Sequence, residues 1–246
     1  MTLLAILILL LTQTASAAAS GPSGSLLGVS LVDGKGGASI GVPMQITILM
    51  TMLALAPALV MSVTPFLRIS IVLHFLRQAL GTQSAPSNQV LIGLSLFLAM
   101  LIVSPVFNQI HANAWVPMEQ GTITQDQALE EAGKPIKTFL GKYAREKDIQ
   151  LFLEITHAPA PRSPDDLDLK ILIPAYIISE LKTGFQIGAV LFLPFLVIDI
   201  VVASVTLSIG MVQLPPVMLS APFKILLFVL VDGWNLLIGS LIKSFY

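Results

Sequence analysis

Six ionisable residues lie at the edges of, or inside, long apolar runs: Arg68, Glu180, Lys182, Asp199, Lys224 and Asp232. A charged group at the centre of a membrane-spanning helix costs roughly 3 kcal/mol on insertion scales, so such groups face a bundle interior, pair, or line a wet path. Two chemistries suit this set. Asp199 and Asp232, the deepest, would relay protons or a solute; alternatively, one of them pairs with Lys224 and sets the register in which helices assemble. Relays of the first kind usually come with broken helices in matched repeats. The sequence shows no convincing repeat, which favours pairing.

Other reactive constellations are missing. The three histidines, His74, His111 and His157, have no second histidine three or four residues away, as a helix-borne two-histidine metal site requires. The stretch Gly28 to Lys35 is one residue too long for a phosphate loop, and Gly36 stands where Ser or Thr would bind the metal. No HExxH occurs. Cysteine is absent, which removes disulfides, thiolate ligands and thiol nucleophiles together. The expectation is no catalytic residue, no metal, no cofactor, and a protein that is not an enzyme. A net charge of −1 without a basic run excludes the electrostatic footprint of a nucleic-acid binder.

The elements that carry these residues follow from hydropathy. Of the 246 residues, 55% are hydrophobic and 11% charged, against about a quarter charged in a soluble domain. Seventeen of the charges fall within residues 119–170, so the chain alternates lipid-like and water-like stretches. An apolar core at 3–11 followed by Ala15-Ser16-Ala17 reads as a signal peptide over 1–17. A Gly- and Ser-rich flexible lead-in occupies 18–43. Apolar runs at 44–67, 89–106, 185–211 and 222–242 are each long enough, or nearly so, to cross the hydrocarbon core. The first hairpin covers 44–108, with kinks expected at Pro57 and Pro65. The second covers 173–246, opened by Pro174 and turned at Pro215-Pro216.

Between them, 109–172 reads as a small helical domain. Thr124 and Gln127 form a capping box. Ile136, Phe139, Leu140 and Tyr143 make an amphipathic stripe. Ile149, Phe152 and Leu153 continue it in a shorter helix, and prolines 159, 161 and 164 mark the exit. The fold class expected is all-α: a polytopic membrane protein with four hydrophobic helical spans in two kinked hairpins and a small helical periplasmic domain between spans 2 and 3. The orientation rests on Arg68 and Arg77, which put the first hairpin's loop in the cytoplasm and the mature N-terminus, central domain and C-terminus outside. Gly184 and Gly188 form a GxxxG suited to close helix contact. Met211 and Met218 bracket the Pro215-Pro216 turn, where a soft thioether would seal against variable cargo.

Particular strings carry more than periodicity. Phe66-Leu67-Arg68-Ile69, Leu76-Arg77-Gln78-Ala79-Leu80-Gly81-Thr82 and Pro86-Ser87-Asn88-Gln89-Val90-Leu91 closely resemble the first hairpin of the FliP family of flagellar export proteins. So does the stretch from Ile173-Pro174-Ala175-Tyr176 through Ser179-Glu180-Leu181-Lys182 to Gly188, with Pro194 to Asp199, Pro222-Phe223-Lys224 and Val231-Asp232-Gly233-Trp234. The resemblance spans roughly 43–246 and is nearer the flagellar than the virulence-injectisome branch. It implies a pore subunit of a type III export gate in the bacterial inner membrane, within the flagellar basal body. The implied partners are other copies of itself, FliQ, FliR, FlhB, FlhA and unfolded flagellar export substrates. It also implies a channel constriction after the third span, where Met211 keeps the family's methionine and Gln213 departs from it. The reading that competes with this is a proton-coupled small-solute transporter.

Overall fold

The computed structural model describes residues 42–82, 84–159, 161, 167–210 and 215–245. The expected signal segment 1–17, the lead-in up to residue 41, and Met211 and Gln213 lie outside the described residues. Two compact units are distinguished, Met1–Met50 and Thr51–Tyr246, and the account below concerns the second. Nine α-helices and one π-helical turn, with no strand, make up the described residues.

Helix α1, Val42–Val63, runs unbroken through Pro57. It stops at Thr64-Pro65, and Pro65 becomes the N-cap of α2, Phe66–Ala79, where a missing N–H costs nothing. The first apolar run is therefore one long helix followed by a separate one, the sharp break falling at the second proline. No side chain between Thr51 and Val63 is buried. Helix α3, Asn88–Ile110, continues through the π-helical turn His111–Trp115 into α4, Val116–Glu119. It thus extends well past the residue 106 expected from hydropathy.

The capping box at Thr124 is formed from both sides and opens α5, Gln125–Tyr143. Leu140 of the amphipathic stripe is fully buried, with Ile136, Phe139 and Tyr143 packed around it. Helix α6, Glu146–Thr156, adds Ile149, Phe152 and Leu153 to the same cluster and ends on a left-handed His157.

Helix α7, Leu169–Ser208, has 40 residues, so it is about 60 Å long, twice a hydrocarbon core of about 30 Å. It begins earlier than Pro174 because the Asp168 carboxylate accepts from the Lys170 N–H and caps it. Pro174 then opens only the Lys170 carbonyl, on an exposed residue that water reaches. The last apolar run is two helices, α8, Pro216–Leu230, and α9, Gly233–Lys243, bent by 68°. Asp232 takes a left-handed φ of 51° at the bend. Position 233 tolerates only glycine, since a Cβ there would lie 2.3 Å from the Phe228 ring.

Helix α2 sits at the centre. Ile69, Val72, Leu73 and Leu76 are buried against α3, α7, α8 and α9 in the main core. A second core joins α5, α6 and the start of α7 around Leu140, Leu172 and Tyr176.

Candidate functional site

Helices α2 and α7 lie side by side and parallel. Gly184 faces Ile71 and Gly188 faces Phe75, and a Cβ on Gly188 would come within 2.6 Å of the Phe75 ring. The GxxxG therefore lets α2 approach α7 within one chain. One turn earlier the same seam holds Arg68 opposite Glu180. Arg68 is 4% exposed and Glu180 0%. The guanidinium grips the carboxylate with two bonds, Nε to Oε2 at 2.9 Å and Nη2 to Oε1. This fork suits arginine and no other cation.

The remaining donors of Arg68 reach beyond the seam. Nη1 donates to the carbonyl and hydroxyl oxygens of Ser244 at 3.3 and 3.1 Å. The Phe245 ring stacks 3.9 Å from the guanidinium carbon, and the Tyr143 hydroxyl donates to the Phe245 carbonyl. Arg68 thus ties together α2, α7, the end of α5 and the residues after α9. Beside this cluster, Ser179 donates to Asp148 at 2.6 Å and accepts from the Arg145 N–H at 2.9 Å, joining α6 to α7.

A second buried pair lies further along α7. Lys224 of α8 donates through Nζ to Asp199 at 2.6 Å, and Ser220 donates to the other carboxylate oxygen at 2.5 Å. The burial is lopsided, with the lysine side chain 1% exposed and the aspartate 23%. Of the two aspartates expected as partners for Lys224, Asp199 takes the role. Asp232 is exposed at the bend and accepts from Asn235 at 3.2 Å. Lys182 is also exposed.

The structure therefore brings four of the six ionisable residues together as two pairs and leaves Lys182 and Asp232 at the surface. Arg68 is no loop cation, and only Arg77, bonded to Asn88 at 2.5 Å, remains as a positive charge beside the first loop. Sequence reasoning missed Tyr143, Ser179, Ser220, Ser244 and Phe245. Ser220 had a visible signal, standing one helical turn before Lys224 in an apolar run. The others are joined only by tertiary contact. Among the described residues no group of three acidic or histidine side chains is placed to hold a metal ion.

Among the described residues three helices are long and apolar enough to cross a membrane, and four spans result if the bent pair counts as one. This defines an all-α polytopic membrane protein in which Arg68 pairs with Glu180 and Lys224 with Asp199. The chain belongs to the FliP family, whose model matches residues 49–241. It is similar to the flagellar biosynthetic protein FliP of Bacillus subtilis, 51% identical over 201 residues, or 82% of this chain and 91% of that one. The protein of the same name from Pectobacterium carotovorum is 47% identical over 212 residues, 86% of this chain and 82% of that one. That from Borreliella burgdorferi is 42% identical over 216 residues, 87% and 85%.

Proposed function

We propose that this chain is a structural pore subunit of the flagellar type III protein export gate, carrying unfolded flagellar subunits across the bacterial inner membrane. Its partners are other copies of itself and FliQ, FliR, FlhB and FlhA. Family membership over 49–241, with relatives named flagellar biosynthetic proteins, carries the reading. The paired charges support it, because Arg68 with Glu180 and Lys224 with Asp199 hold helices in register. A proton-coupled solute transporter would draw on Asp199 and Asp232 instead. Asp199 is already engaged by Lys224 and Ser220, which weighs against that role.

In this reading the chain has its mature N-terminus, its central domain and its C-terminus on the periplasmic side, and Met211 and Gln213 ring the channel. Isolation from motile cells together with its partners yields a large hetero-oligomer; a stable lone monomer in such cells would refute the assignment. Photocrosslinking from Met211 captures a stalled export substrate, and strong crosslinks only elsewhere remove the constriction. Flux driven by a pH gradient in proteoliposomes, lost on Asp199→Asn, would transfer the function to the transporter reading.

A further inference from the structure

Between α7 and the bent α8–α9 pair lies an open groove of about 630 Å³. Its walls are apolar, with Val190 and Pro194 on one side and Leu227 and Leu236 on the other. Polar groups enter at one end only, as Gln186 of α7 and Ser240 of α9. Toward the opposite end the Phe195 and Phe228 ring centroids stand 6.5 Å apart.

Three basic residues stand on the segments that lead to the polar end. Arg145 donates from Nη2 to Gln186 at 2.7 Å and to Thr183 at 3.3 Å. Lys182 is exposed and stands one turn before Gln186, on the same face of α7. Lys243 is exposed and stands one turn after Ser240 on α9. The two lysines share one level of the molecule, because Arg68 binds Glu180 and Ser244 at once, and these are near neighbours of Lys182 and Lys243. Among the described residues neither lysine has a carboxylate within ion-pair distance.

From Gln186 to Phe195 the groove follows α7 for about 13 Å, close to the depth of one leaflet of a core about 30 Å thick. An acyl chain of that length suits the apolar walls, and the basic residues near the polar end select an anionic headgroup. We propose that the groove is a binding site for an anionic phospholipid. One acyl chain lies along Val190, Pro194, Leu227 and Leu236, and the phosphate is held by Arg145, Lys182 and Lys243. The site fastens α9 to α7 through lipid where the protein leaves a gap between them.

The full chain, purified in neutral detergent, is mixed with equal amounts of phosphatidylglycerol and phosphatidylcholine, and retained lipid is counted by native mass spectrometry. Phosphatidylglycerol is retained in preference. The K182A/K243A double variant loses roughly thirtyfold in phosphatidylglycerol affinity, while K182R/K243R keeps it. V190W fills the groove and releases lipid of either headgroup; L236W does the same from the other wall should V190W fail to fold by circular dichroism. Equal retention of both lipids, or phosphatidylglycerol binding unchanged in K182A/K243A, overturns the proposal. So does a photocrosslink from Val190 to a protein helix in place of lipid.

Discussion

Removing one side of the Arg68–Glu180 pair tests whether it fastens the fold or serves transport. In Glu180→Gln the guanidinium stays 4% exposed with its counter-charge gone, and in Arg68→Met a fully buried carboxylate loses its only cation. Breaking a buried pair from one side costs about 3–5 kcal/mol, mostly from the uncompensated charge left behind. For a domain of this size each kcal/mol lowers Tm by about 2–4 °C, so either single variant falls by about 6–20 °C. Replacing both, as R68M/E180L, removes two desolvated charges together and restores much of the loss, because well-packed apolar side chains substitute for buried pairs at little cost. Recovery is incomplete, since Ser244 loses its bonds to Arg68. The assay is thermal unfolding of the purified protein in detergent, followed by near-UV circular dichroism. Single variants within about 1 kcal/mol of the parent, or a double variant as unstable as the worse single, would refute the reasoning.

The Asp199–Lys224 pair predicts an asymmetry in the same assay. Asp199→Asn strands a lysine only 1% exposed and costs about 3–5 kcal/mol, whereas Lys224→Met leaves an aspartate that water already reaches and costs less than half of that; equal losses would count against it. Gly188→Ala pushes a methyl into the Phe75 ring and destabilises by about 1–3 kcal/mol. Adding Phe75→Leu to it recovers stability, and a neutral Gly188→Ala would mean the seam is looser than drawn. Thr124→Ala removes the cap of α5 and costs about 0.5–2 kcal/mol, read as faster amide exchange confined to 125–128.

Helical character, the apolar runs and the cap at Thr124 were legible because each is a local property of a few neighbouring residues. Helix ends were less so. Pro174 looked like a start, but Asp168 caps the helix earlier, and Asp232 bends what hydropathy reads as one span. The six ionisable residues were found by their cost in an apolar run, a signal that names the residue and not its partner. Asp199 and Lys224 were within guessing range at 25 positions apart, whereas Arg68 and Glu180 are 112 apart. Ser244 and Phe245 bore no mark in sequence at all, because their part is played by a backbone carbonyl and a ring face.

The reach of Arg68 also sets a timetable. Its Nη1 bonds Ser244, which is made 176 residues later. At translation rates of about 5–20 residues per second, some 9–35 s separate the two. During that interval α2 and α7 come within range of each other while the guanidinium still lacks the partners that follow α9. The nascent chain therefore holds an unfinished seam until synthesis nears Phe245, and a ribosome stalled before that point leaves a protein whose central arginine is only half bound.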